Sequence, residues 1–277
     1  MVCFLCVKKA SLVGAFFMPA FFAAQVQAQI QPQAFCSASE QLTYVSVKRV
    51  VDGDTLRLVD GRSVRLIGIN TPELGHKGQT AEPFAVAAQR RLQDLLDASD
   101  GRVGLQYGAQ RHDRYGRTLA HVFDGAGRNI EAQLLASGLG YQIAIAPNLA
   151  LLDCQLAAQQ VAREQGAGVW RQPVLQVPEE LTRGGFRQIK ARVRKVQVNA
   201  QGAWLELGVA VIRIDEQALK SFKRESLEDY VGREVIARGW VVDRASRGRN
   251  KVGRARWMLI LTHQTMIETL PSVKTTL

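Results

Sequence analysis

Between Val50 and Glu73 the chain reads VVDGDTLRLVDGRSVRLIGINTPE. Apolar-rich arms on either side of Asp60-Gly61 describe two antiparallel strands joined by the tight turn that this dipeptide favours. With two residues in the turn, Val59 opposes Arg62, Leu56 opposes Arg65 and Asp54 opposes Ile67. Asp54 and Arg65 are then diagonal neighbours on one face, about 7–8 Å apart. Pro72 ends the third strand, with Asn70, Thr71 and Glu73 crowded beside it. A hairpin needs no such gathering of Asp52, Asp54, Arg65, Asn70 and Glu73 at one end. One carboxylate and one guanidinium at this separation can bracket a phosphate, the carboxylate through a cation and the arginine directly. An oxygen-rich cluster suits a hard cation such as Ca²⁺ or Mg²⁺. There is no Cys/His spacing for zinc, and the lone His76 reads as a solvated loop residue. The competing use of the arginines is structural, with Arg65 and Arg117 paired to Asp54 and Glu73.

The hairpin belongs to a longer pattern. LTYVSVKRVVDGDTLRLV reads as strand, turn, strand, and RSVRLIGIN as a third strand. An amphipathic helix follows over 78–98, with Pro83 in its first turn. RVGLQYG and RTLAHVFD are further strands, and helices follow over 129–138 and 148–166. Five strands with a helix after the third predict a small closed barrel of the oligonucleotide/oligosaccharide-binding type. Two prolines in RQPVLQVPEE mark a boundary, after which strand, strand, strand, helix, strand, strand recurs, with the helix over 216–232. The expected fold is mainly β with helices (α+β): a barrel domain over 36–171 and a second, smaller OB-like barrel over 180–270.

Charge is spread unevenly over this plan. The net charge is +11, a balance that favours a polyanionic partner such as nucleic acid or anionic lipid. From Gln172 onward there are 19 basic and 11 acidic residues. The densest cluster holds Arg244, Arg247, Arg249, Lys251, Arg254 and Arg256 without an acid. It falls in the expected loop between strands four and five of the second barrel, a usual nucleic-acid contact of this fold; the plainer reading is a solubilising loop. At the other end, Lys8 and Lys9 precede an apolar run from Ala10 to Ala24 and a small-residue site ending at Ala28, the pattern of a secretory signal over 1–28. The mature chain is then expected in the periplasm or secreted, with no membrane span and with Cys36 and Cys154 free to form one disulfide.

The motifs VDGDTLRLVDGRSVRLIGINTPE and HDRYGRTLAHVF, in that order, resemble the thermonuclease (staphylococcal nuclease-like) family over about residues 44–170. The resemblance implies a five-stranded barrel that cleaves DNA and RNA with Ca²⁺ and leaves 3′-phosphate ends. It implies Asp54, Asn70 and Thr71 as metal ligands, Thr71 through its carbonyl, and Glu73 as the base that activates water. Arg65 and Arg117 would hold the scissile phosphate, and Arg114 and Tyr115 the terminal phosphate of the nucleotide. Two departures stand out. Asn70 replaces an aspartate, which removes a negative charge and predicts weaker Ca²⁺ binding and looser metal choice, with Mg²⁺ or Mn²⁺ as substitutes. Ile143 and Ile145 stand where the prototype sets tyrosines against the base. The resulting expectation is an exported nuclease of DNA and RNA without an organic cofactor. Its rival is a nucleic-acid-binding envelope scaffold that has lost catalysis, and charge alone would also allow an acidic polysaccharide as ligand.

Overall fold

The computed structural model describes residues 36–38, 40–75, 78, 80–222, 227–246 and 254–271. The expected signal segment over 1–28, His76 and the loop residues Arg247, Arg249 and Lys251 lie outside them. Strands β1 (Thr43–Asp52), β2 (Thr55–Leu58) and β3 (Ser63–Leu66) run in succession, followed by the short β4 (Ile69–Asn70) and helix α1 (Ala85–Asp97). Then come β5 (Arg102–His112), β6 (Thr118–Phe123), α2 (Ile130–Ala136), β7 (Tyr141–Gln142) and α3 (Leu152–Glu164). The first five long strands close into a barrel in the order β1-β2-β3-β6-β5, with β3 and β6 parallel. Leu56, Leu58, Val64, Leu66, Val103, Leu105 and Val122 fill it, each at most 1% exposed. Among the described residues no helix is long and apolar enough to cross a membrane.

The hairpin register differs from the expected one by a single residue. Thr55 pairs Arg65 and Leu56 pairs Val64, and Leu58 N–H donates to Arg62 O at 2.9 Å. Three residues therefore make the turn, with Gly61 at φ 90° in the place that a left-handed residue must occupy. Asp60 favours this longer form because its carboxylate accepts from the Arg62 backbone N–H and from Arg62 Nε.

Helix α1 also begins later than the periodicity predicts. Pro83 lies outside it, and Phe84 flanks it in the left-handed region at φ 68°, which a continuing helix does not permit. From Ala85 on, Ala88, Leu92, Leu95 and Leu96 seat one face on the barrel. Helix α2 is capped by Asn129, whose side chain accepts from Ala132 N–H. A disulfide joins Cys36 to Cys154 in α3 across a sequence separation of 118.

Beyond Trp170 the chain builds a second sheet: β8 (Leu175–Gln176), β9 (Gly185–Arg192), β10 (Lys195–Asn199), β11 (Gly202–Glu206) and β12 (Ala210–Asp215). Helix α4 (Glu216–Leu219) leads to β13 (Glu234–Asp243), β14 (Trp257–Leu261) and β15 (Ile267–Thr269). Its pairing order, β10-β11-β12-β14-β13-β9, with β12 and β14 parallel, repeats that of the first barrel. Strands β9 and β10 together play the part of one first strand: at Val193–Arg194 the backbone stops bonding to β13 and starts bonding to β11. The helix expected over 216–232 shrinks to the four residues of α4. Phe222 and Leu227 both belong to the core, and five residues of helix would set them about 140° apart, so the chain leaves the helix to bury both.

The two regions keep separate cores, with one crossing. Ile143, from the segment after β7, is buried among Ile189, Leu205, Ile212 and Leu259 of the second sheet. Arg238 of β13 is 4% exposed and donates to Gln142 O at 3.0 Å and Thr265 O at 2.8 Å. Burial pushes its pKa down to about 10. Thr262 Oγ1 donates to Ala144 O at 2.7 Å. Residues 142–144 are thus gripped by the C-terminal sheet.

Candidate active site

Asp54 lies in the tight bend between β1 and β2, held there by its own N–H, which donates to Asp52 Oδ1 at 3.0 Å. The bend requires Gly53: a Cβ at that position would come within 2.7 Å of both Ala88 Cβ and Thr71 Oγ1. The Asp54 carboxylate is 9% exposed and fully engaged. Oδ2 accepts from Thr71 N–H at 2.8 Å and Thr71 O–H at 3.0 Å, while Oδ1 pairs with Arg65 Nη1 at 2.7 Å. Arg65 Nη2 donates to Asn70 Oδ1 at 3.2 Å. Asp54 and Arg65 are therefore in direct contact rather than diagonal across two strands, because Asp54 belongs to the bend, where its side chain escapes the pleat. Asn70 is carried by β4, whose partner is β7 through the Asn70–Tyr141 pairing. Its Nδ2 donates to Thr71 O at 3.3 Å.

Glu73 lies on the extended segment beyond Pro72, with its residue open to solvent. Partial desolvation of the carboxyl, then the nearby charges of Asp54 and Asp52, push its pKa up. The Asp52 carboxyl is raised as well, by burial first and by Asp54 second. Glu73 is braced by a residue that the sequence did not single out: it exchanges backbone contacts with Glu82, whose N–H donates to Glu73 O at 2.8 Å and whose Oε2 accepts from Glu73 N–H at 3.1 Å.

Arg117 stands one residue before β6. Because Arg65 is in register with Leu119, Arg117, two residues earlier, lies on the same outward face of the barrel. It pairs with Asp113, not with Glu73: Nε lies 2.7 Å from Oδ2, and its N–H donates to Oδ1 at 2.9 Å. The same Asp-x-x-x-Arg turn recurs at Asp124 and Arg128, so the pairing is a turn device visible in the sequence as a four-residue spacing. Both terminal amino groups of Arg117 remain without an intramolecular partner among the described residues. Tyr115 is 69% exposed at the tip of this turn, with the Arg114 and Arg117 guanidiniums 4.8 and 5.6 Å from its ring centre.

Other expected residues are set apart from this group. Arg244 and Arg256 form the base of the basic loop, where Arg256 pairs with Asp243 at 2.8 Å, Arg244 N–H donates to Arg256 O and Arg254 follows the undescribed stretch. Ile145 is 45% exposed, but Ile143 is 6% exposed in the C-terminal core and does not front the site. Aromatic rings instead gather beside β4. Tyr141 lies 5.3 Å from Trp170 and 5.7 Å from Phe186, and Phe186 lies 5.3 Å from Trp240.

The donors converging here are all oxygen: the Asp54 carboxylate, the Asn70 amide and the Thr71 carbonyl. Asp52 and Glu73 are both raised, by burial first and by the charge of Asp54 second, so three carboxyl groups crowd around Arg65. That arrangement fits a hard divalent cation, although among the described residues no three His, Cys, Asp or Glu side chains form a metal-binding group.

Residues 63–172 match the model of the family described as staphylococcal nuclease homologue. A thermonuclease of Staphylococcus intermedius is 35% identical over 127 residues, which cover 45% of this chain and 74% of that protein. A thermonuclease of Staphylococcus hyicus is 34% identical over 137 residues, 48% of this chain and 78% of its own length. The endonuclease YncB of Bacillus subtilis is 28% identical over 136 residues, 47% of this chain and 63% of its own.

Proposed function

Because this chain belongs to the family of staphylococcal nuclease homologues, we propose that it is an exported, metal-dependent nuclease that hydrolyses phosphodiester bonds of DNA and RNA with little sequence preference. The observation that carries this reading is the contact of Arg65 with both Asp54 and Asn70, beside a Glu73 whose pKa is raised. Asp54, Asn70 and the Thr71 carbonyl would hold Ca²⁺, or Mg²⁺ or Mn²⁺ given the missing charge at Asn70. The ion, when bound, supplies charge neutralisation at the phosphate.

The rest falls to the chain's own side chains. Glu73, made more basic by desolvation and its acidic neighbours, takes the proton of the attacking water. Arg65 and Arg117, on one face of adjacent strands, donate to the phosphate oxygens on which charge grows. Arg117 has its terminal amino groups free for this, while Arg65 must divide Nη1 between Asp54 and substrate. Arg114 and Tyr115 would meet a neighbouring phosphate. Water adds to phosphorus, the 5′-oxygen leaves, and a 3′-phosphate end remains. Residues 36–171 form the nuclease domain in this reading. Residues 180–270, with Arg244, Arg247, Arg249, Lys251, Arg254 and Arg256, form an accessory domain that holds the polymer. The segment over 1–28 directs export to the periplasm or medium.

The test follows cleavage of a quenched single-stranded DNA with Ca²⁺, Mg²⁺, Mn²⁺ or chelator. Metal-dependent cleavage that disappears in Arg65→Ala and Glu73→Ala is expected, and Asn70→Asp should lower the Ca²⁺ concentration required. Salt-sensitive DNA binding without cleavage in any metal would instead establish the scaffold reading.

A further inference from the structure

We propose that the two sheets together form a nucleotide subsite beside the reacting centre, in a cavity of about 250 Å³ walled by Asn70, Phe84 and Tyr141 on one side and Arg183, Phe186 and Arg187 on the other. It would take the base and phosphate of a nucleotide next to the scissile bond in a single-stranded substrate. This inference deepens the nuclease reading and rests on it.

Three independent features converge on the cavity. The first is its connection to the reacting groups. Asn70, which touches Arg65, forms part of its wall. So does Glu82, which braces the Glu73 backbone and lies 3.5 Å from Arg187 Nη1. A strand lying across Arg65 therefore has this cavity within a residue or two of its cleaved phosphate.

The second feature is aromatic. Phe84 is 38% exposed at the rim and is held in a left-handed backbone conformation that a non-glycine residue rarely adopts. Tyr141 and Phe186 continue the wall, and Trp170 and Trp240 pack behind them. Such a surface stacks any base, consistent with a substrate range that ignores sequence.

The third feature is charge. Arg183 is exposed and makes no ion pair among the described residues. Arg187 is mostly buried and pairs with Glu82, and burial, with the repulsion of Arg183 behind it, pushes its pKa down. Two guanidiniums with one acid leave a positive surplus that a phosphate offsets.

The experiment uses the full-length protein carrying Glu73→Gln, so that substrate survives, and fluorescein-labelled oligo-dT of two or six nucleotides. Anisotropy at low salt should show the hexamer bound about tenfold more weakly by Phe84→Ala and by Arg183→Ala, the scale of one lost stack or one lost phosphate contact. The ratio of hexamer to dimer affinity should fall with it, and Phe84→Trp should restore the hexamer. Ultraviolet cross-linking of a hexamer bearing one 5-iodouracil to the protein with unaltered Phe84 should map to Phe84 or Phe186. Unchanged hexamer binding in both alanine variants, or cross-links confined to other segments, would overturn the subsite. Failure of the nuclease reading looks different: no hydrolysis by the unsubstituted protein, while hexamer binding still depends on Phe84 and Arg183.

Discussion

The barrel built by β1, β2, β3, β6 and β5 and the sheet built by β9 to β14 thread their strands alike, down to the bend between the first two. In the barrel, Asp52 opposes Thr55 and its Oδ1 accepts from Asp54 N–H at 3.0 Å. In the sheet, Asn199 opposes Gly202 and its Oδ1 accepts from Gln201 N–H at 2.8 Å. On the third strand Arg65 opposes Thr55, so its counterpart is Asp215, which opposes Gly202; Arg213 lies two residues earlier and pairs Trp204 and Ile260. Yet Arg65 meets Asp54 and Asn70, whereas Asp215 accepts from Ala218 N–H and caps α4. The same backbone has been given one reacting centre and one plain wall. Strand order therefore carries no chemistry by itself; the side chain at the bend decides.

The comparison also separates how the regions are held. Only the first carries a disulfide, so Cys154→Ser should strike it alone. Opening a loop of 118 residues removes about 4–5 kcal/mol in the chain-entropy model, enough to split urea unfolding into an early step for the barrel and a later one for the sheet. A single concerted loss would break the contrast. Next in size is a paired substitution of the third-strand arginine of each region. Arg65→Ala should lower kcat by about 10²–10³, or about 2.7–4 kcal/mol, while Arg213→Ala leaves it unaltered in a steady-state assay on single-stranded DNA. An equal fall in both would mean that basic charge on either third strand, not the acidic surroundings of Arg65, matters.

Arg238→Met tests the bridge between the regions. It keeps the buried stem but strips donors from Gln142 O and Thr265 O, at a cost of about 1–3 kcal/mol for each orphaned carbonyl. Denaturant titration should show the loss, and KM for DNA should rise because β7 supports Asn70.

The smallest effect is in pH. Burial holds Glu131 protonated in the fold up to about 8, and pushes the His121 pKa down to about 4. Folded Glu131 keeps a proton that the unfolded chain has released, so its contribution is present below pH 4.5 and lost as pH rises to 8. His121 works oppositely, losing stability as pH falls from 6.5 to 4. Between 4.5 and 6.5 the two offset each other, and above 6.5 only the decline from Glu131 remains. Melting temperatures should fall from pH 6.5 to 8 in the unaltered protein and stay level in Glu131→Gln.

Much of this was legible in the sequence because hydrophobic period and turn residues act locally. The five strands around Asp60-Gly61, the repeat of their order and the cluster from Asp54 to Glu73 follow from spacing alone. The one-residue error in register came from Asp60, whose carboxylate stabilises a longer turn. The short α4 came from two core residues that no single helical face accommodates. The cavity residues Phe84, Arg183 and Arg187 were missed for a different reason. They come from segments about a hundred residues apart, and no periodicity records that two sheets will meet there.

The grip of the C-terminal sheet on residues 142–144 has a consequence in time. Arg238, Thr262 and Met266 are made about a hundred residues after the segment they hold, and Ala144 N–H contacts Met266 Sδ at 3.5 Å. The strand pair that carries Asn70 is thus left without its outer support until β13 has been made. A chain made only that far has Asp54, Arg65, Asn70, Glu73 and Arg117 but not the outer brace of β4 and β7. The frame around Asn70 is complete only once β13 has formed and the segment from Thr262 to Met266 has docked on it.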